Sequence, residues 1–229
     1  MIRAVALLTD FGAADPYVAE MKAALLAEWA RFPEPEPLPV IVDVSHAVPP
    51  GDVAAGAWLL ARVQPRFPAG TVFLAVVDPG VGTGRPALAV EARGQTFVGP
   101  GNGLLAFLAG DAPAPAAVRL DNPLYQRGGP SGPAPTFHGR DVFAPAAAHL
   151  ALGVPLAQVG SAVPAGQLAA VLGPPPGARA FTALFPAGAP AAPAVPPAPG
   201  APGAPAPPGG AAGGGDWGRL VWVDNFGNA

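Results

Sequence analysis

The chain has no cysteine, and only 12% of its side chains are charged. The first absence excludes disulfide frameworks, thiolate zinc sites and cysteine nucleophiles together, and it makes a cytoplasmic protein the plain reading. The second, with a formal net charge of -3 over 229 residues and a pI near 5.5, leaves no basic footprint for a nucleic-acid partner. The 3 histidines are far apart and no carboxylate pair stands at ligand spacing, so no metal site is expected. Long apolar runs are lacking as well. None reaches the roughly 18 residues of a membrane span, so no membrane partner is expected and the positive mean hydropathy reflects alanine. The apolar start is interrupted at Thr9 and Asp10, too early for an export signal, and reads as a first strand.

What is plentiful is proline, 34 residues, and glycine, 31 residues, and both are unevenly spread. From about Gly173 to Gly215 the sequence is almost wholly alanine, proline and glycine, which supplies few core-forming side chains; residues 173–215 are expected to be a disordered linker. Before it, residues 1–172 alternate strand and helix patterns. Val5–Thr9 reads as a buried strand, and Asp15 with Pro16 opens a helix carrying Tyr17, Met21, Ala24, Leu25 and Trp29 at helical spacing. Val40–Val44 reads as a second buried strand, and Asp52 as the cap of a helix with Val53, Gly56, Ala57, Leu60 and Val63 on one face. A third strand covers Thr71–Val77, and Ala87–Glu91 with Gln95–Val98 form a hairpin around Ala92-Arg93-Gly94.

The expected fold class is therefore α/β: an N-terminal mixed, mostly parallel sheet flanked by helices. After the linker, Arg219–Val223 has the pattern of one strand. A lone strand cannot fold by itself, so residues 216–229 are expected either to add that strand to the main sheet or to hold only the first strand of a second, C-terminal domain truncated at Ala229.

Chemistry concentrates at strand ends. The third strand stops on Asp78, followed by the turn Pro79-Gly80-Val81-Gly82-Thr83-Gly84 and then Arg85. In open α/β sheets the crevice beyond the carboxyl ends of strands is where ligands bind, which makes Asp78 and Arg85 candidates from position alone. The glycine-rich turn is not a Walker loop, because no lysine follows at the required place, so nucleoside triphosphates are disfavoured. Asp10 closes the first strand, and Asn102 lies between two glycines that permit close approach of a ligand. His138 precedes a helix over Val142–Ala151. Taken singly these residues have plainer readings: Asp10 and Asp78 as turn residues, Arg85 as a solvated arginine, His46 and His149 as hydrogen-bonded structural histidines, and Arg140 with Asp141 as a pair capping the helix. Trp217 and Trp222 read as packing residues.

The ordered set Leu7-Leu8-Thr9-Asp10-Phe11-Gly12, Asp15-Pro16-Tyr17-Val18, Val42-Asp43-Val44-Ser45-His46, Pro49-Pro50-Gly51-Asp52-Val53, Val77-Asp78-Pro79-Gly80-Val81-Gly82-Thr83, Asn102-Gly103-Leu104-Leu105 and Thr136-Phe137-His138-Gly139-Arg140-Asp141 resembles the S-adenosyl-L-methionine hydroxide adenosyltransferases, relatives of the fluorinating enzyme. The resemblance spans roughly residues 3–172, with Val223–Asn228 similar to the family's entry into its C-terminal β-domain. It implies attack of water or hydroxide on the ribose C5′ of S-adenosyl-L-methionine, giving adenosine and methionine, with no cofactor. It implies a water-handling set of Asp78, Arg85 and His138. It places Asp10 on the ribose hydroxyls, Asp15 and Tyr17 near the methionine part, Asn102 in the pocket, and Asp224, Phe226 and Asn228 on the far side of a pocket shared between subunits of a homotrimer. Gly51 departs from the family, which usually carries a bulky residue there. Two other readings are kept: an impaired, truncated remnant that binds adenosine or S-adenosyl-L-methionine, and a halide-using enzyme, which the charged set disfavours.

Overall fold

The structure, a computed structural model, describes residues 3–32, 37–111, 113–128 and 132–173. The linker and the strand expected over Arg219–Val223, with Asp224, Phe226 and Asn228, lie outside the described residues.

In chain order the elements are β1 (Ala4–Thr9), α1 (Tyr17–Trp29), β2 (Val40–Ser45), α2 (Val53–Val63), β3 (Val72–Val76), β4 (Ala87–Ala92), β5 (Gln95–Pro100), β6 (Ala116–Arg119), α3 (Ala144–Ala151), β7 (Ser161–Ala162) and α4 (Ala165–Leu172). The strands form one sheet in the order β2-β1-β3-β5-β4-β6-β7. The ladders joining β2, β1, β3 and β5 are parallel, and those joining β5, β4, β6 and β7 are antiparallel, so the sheet is mixed and its parallel half carries the amino-terminal βα units.

β1 and β3 are buried at every position, a pattern that requires cover on both faces. α1 and α3 cover one face through Met21, Leu25, Trp29 and Ala147. α2 and α4 cover the other through Val53, Ala57, Leu60, Leu168 and Leu172. Gly56 is part of that fit, because a Cβ there would come within 2.9 Å of the Val77 side chain. The hairpin turns at Arg93 and Gly94, both with positive φ (55° and 72°), as a two-residue turn of the primed type demands. Arg93 is held there by a two-pronged pair with Asp111 at 2.7 and 2.6 Å.

Four local expectations are corrected. β2 is an edge strand, with Val40 and Asp43 exposed, because β1 is its neighbour on one side only. Asp15 does not cap α1: Pro16 occupies that position in helical geometry and no side chain bonds the first turn. Tyr17, at the start of the apolar stripe, is 42% exposed. The helix expected from Val142 begins instead as a π-helical turn, Gly139–Phe143, that runs into α3. Asp52 does cap α2, accepting from the Ala55 N–H at 3.0 Å.

Candidate active site

The chain passes from β1 through α1 to β2 on one side and then returns to place β3 on the other side of β1. The sheet's topological switch point therefore lies between β1 and β3, the position at which a crevice opens beyond the strand ends. Thr9 is in register with Val76 across this pair, so Asp10 and Asp78 leave neighbouring strands at nearly the same level.

Beyond Asp78 the glycine turn folds the chain back on itself. Val81 N–H donates to Asp78 O at 3.2 Å, and Thr83 N–H and Oγ1 both donate to Gly80 O, at 3.1 and 2.7 Å. Gly82 has φ of +79° and sits where a Cβ would press to 3.1 Å from Pro135 O, so the turn can lie against the loop that leads to His138. This geometry returns Arg85 to Asp78. Arg85 Nε donates to Asp78 Oδ1 at 3.0 Å, and a terminal nitrogen of the guanidinium donates to Oδ2. Both side chains are buried, 8% and 4% exposed. The same terminal nitrogen lies 3.0 Å from His138 Nδ1. Phe143 underlies the cluster, its ring centroid 5.3 Å from the guanidinium carbon and 6.4 Å from that of His138.

Burial, and after it the positive charge of Arg85, push His138 below the ordinary histidine value, outweighing the opposite pull of Asp78 and Asp141. A neutral imidazole follows. Because an arginine can only donate, Nδ1 is the acceptor and the ring proton resides on Nε2.

Asp10 is half-buried and accepts from the Gly51 N–H at 2.7 Å through Oδ2. Its carboxyl is pushed up, chiefly by burial and secondarily by the charge of Asp78, against the lowering effect of the Gly51 bond. Gly51 has φ of +72°, with the place of a Cβ 3.5 Å from Pro79, so the turn that feeds Asp10 also touches the residue after Asp78. Asn102 bonds to the main chain at both ends of its amide: Nδ2 donates to Val77 O at 2.9 Å and Oδ1 accepts from Leu104 N–H at 3.2 Å. It thereby secures the end of the third strand next to Asp78.

Asp15 is exposed before α1. Tyr17 packs its ring near Phe11 and Phe137, at centroid separations of 6.2 and 6.1 Å. Together with Met21 and Arg140 these rings line a cavity of about 320 Å³. Arg140 pairs with Asp141 at 2.7 and 3.0 Å and with Glu20 at 3.0 Å, and lies over Phe137 at 4.6 Å, which fixes the start of the π-helical turn. Among the described residues no group of three or more histidine, aspartate or glutamate side chains is placed to hold a metal ion. Two clusters escaped the sequence reading as clusters: Thr9 with His46, and Glu28 with Arg127, Arg31 and His149. Their residues are up to 121 positions apart in the numbering, 149 against 28, so spacing carried no signal.

A layered α/β fold with charged side chains gathered at the switch point between β1 and β3 defines the class: an α/β protein with its charged cluster at the carboxyl edge of the sheet, the place where folds of this class bind ligands. The SAM hydroxide adenosyltransferase N-terminal domain model matches residues 5–160, and the chain belongs to that family. A relative from Thermus thermophilus named (R)-S-adenosyl-L-methionine hydrolase is 49% identical over 172 residues, covering 73% of this chain and 64% of the relative. A protein named fluorinase from an Actinoplanes species is 31% identical over 182 residues, covering 69% of this chain and 58% of the relative. A solved structure of an uncharacterized conserved protein from Thermotoga maritima superposes with a TM-score of 0.62 at 37% identity, covering 70% of this chain and 58% of that one. The chain thus spans less than two thirds of the length of each of these proteins.

Proposed function

We propose that the protein hydrolyses S-adenosyl-L-methionine to adenosine and L-methionine. The observation that carries the reading is the buried linkage of Asp78, Arg85 and His138 beside the switch point; the greater identity to the named hydrolase than to the named fluorinase supports it. Water attacks ribose C5′, the C5′–S bond breaks, its electron pair passes to sulfur to give the neutral thioether of methionine, and the water's surplus proton is released. A sulfonium is already a good leaving group, so the protein's task is to place the nucleophile in line and exclude competing solvent. In this scheme Asp78 accepts a hydrogen bond from the attacking water, Arg85 stabilises its hydroxide-like character, and neutral His138 orients it or relays its proton. Asp10 receives the ribose hydroxyls, Asp15 and Tyr17 face the methionine part, and Asn102 steadies the pocket. The proposal includes no cofactor, a cytoplasmic setting, and a homotrimer in which Asp224, Phe226 and Asn228 complete the pocket.

Incubation of the purified protein with S-adenosyl-L-methionine in ¹⁸O-water tests this. Adenosine carrying the label at its 5′-hydroxyl, together with methionine, is the expected result. No product above an Asp78→Ala control overturns it, and product that depends on added halide favours the halide-using reading instead.

A further inference from the structure

Thr9, the last residue of β1, is wholly buried and immediately precedes Asp10. Its Oγ1 lies 2.9 Å from His46 Nδ1 and accepts from the Phe11 N–H at 3.3 Å. The hydroxyl therefore bridges the residues on both sides of Asp10 to a histidine on the segment after β2. The backbone repeats the attachment: Gly12 N–H donates to His46 O at 2.7 Å, and Val48 N–H to Thr9 O at 3.4 Å. On its other side His46 Nε2 stands 3.1 Å from Asp43 Oδ1, close but out of line for a formed hydrogen bond. Asp43 Oδ2 is held by Lys22 Nζ at 2.6 Å. The series Thr9, His46, Asp43, Lys22 thus runs from β1 across β2 to α1.

The order hydroxyl, imidazole, carboxylate matches that of a nucleophilic triad, but Thr9 has no exposed surface and no substrate carbon can reach it. A holding role is what remains. With the ring proton on Nε2, the Thr9 hydroxyl donates to Nδ1 while its oxygen accepts from the Phe11 N–H. With Asp10 Oδ2 on the Gly51 N–H, the carboxylate is fixed from its own side chain and from residues 9, 11 and 12 of its backbone.

We propose that Thr9 and His46 are positioning residues that set the torsion of Asp10, so that its carboxylate meets the paired hydroxyls of a ribose. The ligand in this inference rests on the function proposed above; the restraint on Asp10 does not. Loosening it affects recognition more than chemistry, since Asp10 does not touch the reacting carbon in that scheme.

The test uses the full chain with Thr9→Val, which preserves shape and removes the hydroxyl, and Thr9→Ser, which restores it. Three quantities are read: hydrogen exchange at the Phe11 and Gly12 amides, the Kd for adenosine by calorimetry, and KM against kcat for S-adenosyl-L-methionine. In Thr9→Val, amide exchange, Kd and KM each rise about tenfold, the size expected for loss of one buried hydrogen bond, while kcat stays within about threefold. Thr9→Ser returns all of them to within about twofold of the parent, by the same bond-restoration argument. His46→Asn, whose Oδ1 stands in for Nδ1 as acceptor, follows Thr9→Ser, and His46→Ala follows Thr9→Val; this pair decides the matter where Thr9→Val does not fold. Unchanged exchange and Kd in Thr9→Val, or a fall in kcat with KM unchanged, overturns the inference. Where the parent protein neither binds adenosine nor turns over, the functional reading fails, and the amide exchange alone decides whether Thr9 and His46 restrain Asp10.

Discussion

One terminal nitrogen of Arg85 serves two partners, donating to Asp78 Oδ2 and lying 3.0 Å from His138 Nδ1. The guanidinium is thus the joint of the cluster: it holds the carboxylate by two prongs and sets the tautomer of the imidazole.

Replacing Arg85 separates these duties. Arg85→Ala leaves a carboxylate that is 4% exposed without its partner and is expected to lower stability by about 3 kcal/mol, as broken buried pairs do. Arg85→Lys keeps the charge but cannot span both oxygens, so it is expected to melt closer to the parent while hydrolysis falls by about a hundredfold. Chemical denaturation and product assays on the two variants check this. Equal activity in Arg85→Lys and the parent would remove the two-pronged contact from the mechanism.

The titration of His138 is expected below the ordinary value of about 6.5. Since the neutral ring accepts from Arg85, kcat/KM for the proposed hydrolysis is expected to be level at neutral pH and to decline as pH falls through that lowered value. Asp78→Asn removes a charge that raises the His138 value, so it moves the titration still lower. Proton NMR of the ring signals measures both, and an upward movement in Asp78→Asn contradicts the geometry.

A second buried group is expected to contribute to acid stability. Glu28 is 2% exposed and bonds to Arg127 at 2.7 Å and Arg31 at 3.1 Å, with His149 Nε2 at 3.4 Å. Burial, and to a lesser degree Arg31, depress His149 in spite of Glu28. Burial works against the charged form of Glu28, but Arg127 and then Arg31 outweigh it and hold the carboxyl below its ordinary range. Both folded values are lowered, so the folded state binds fewer protons than the unfolded chain and both contributions are present at neutral pH. The His149 contribution declines as pH falls below about 6.5, and that of Glu28 declines further down, below about 4.3. Melting temperature against pH for the parent and His149→Leu reads the upper step; the parent is expected to lose melting temperature relative to the variant between pH 7 and 5.5. Parallel curves would show that His149 is not the group involved.

Asn102→Ala leaves the Val77 carbonyl and the Leu104 N–H without their side-chain partner. A loss of about 1–3 kcal/mol is expected, the range for unsatisfied buried backbone groups. Because Val77 precedes Asp78, activity falls as well, and Asn102→Asp restores only the Leu104 half of the contact. Full stability in Asn102→Ala, measured by denaturant titration, rules this out.

Much of the amino-terminal architecture was legible. The unbroken apolar stretches at Val5–Thr9 and Thr71–Val77 could only be strands covered on both faces, and each ended on an aspartate. The hairpin was readable because Arg93-Gly94 supplies the positive φ that a two-residue turn requires. Val40–Val44 misled because its β-branched composition is that of an interior strand, whereas its position at the sheet edge depends on where the chain places β3. The short strands β6 and β7 and helix α4 carry too little pattern of their own between proline-rich segments and form by docking on the hairpin and the core.

By itself the sequence determined which residues end on strand tips, since hydrophobic period and turn chemistry are local properties. It also placed Asp10, Asp78, Arg85 and His138 within the stretch that the family model matches. Only the tertiary structure decided that Arg85 and His138, separated by 53 positions, meet at one nitrogen, that Thr9 bonds His46, and that Glu28 collects two arginines and a histidine. Those contacts join separate elements of the chain. They exist because packing α1 and α3 against one face of a twisted sheet, and α2 against the other, brings buried polar groups of distant segments within hydrogen-bonding reach of one another.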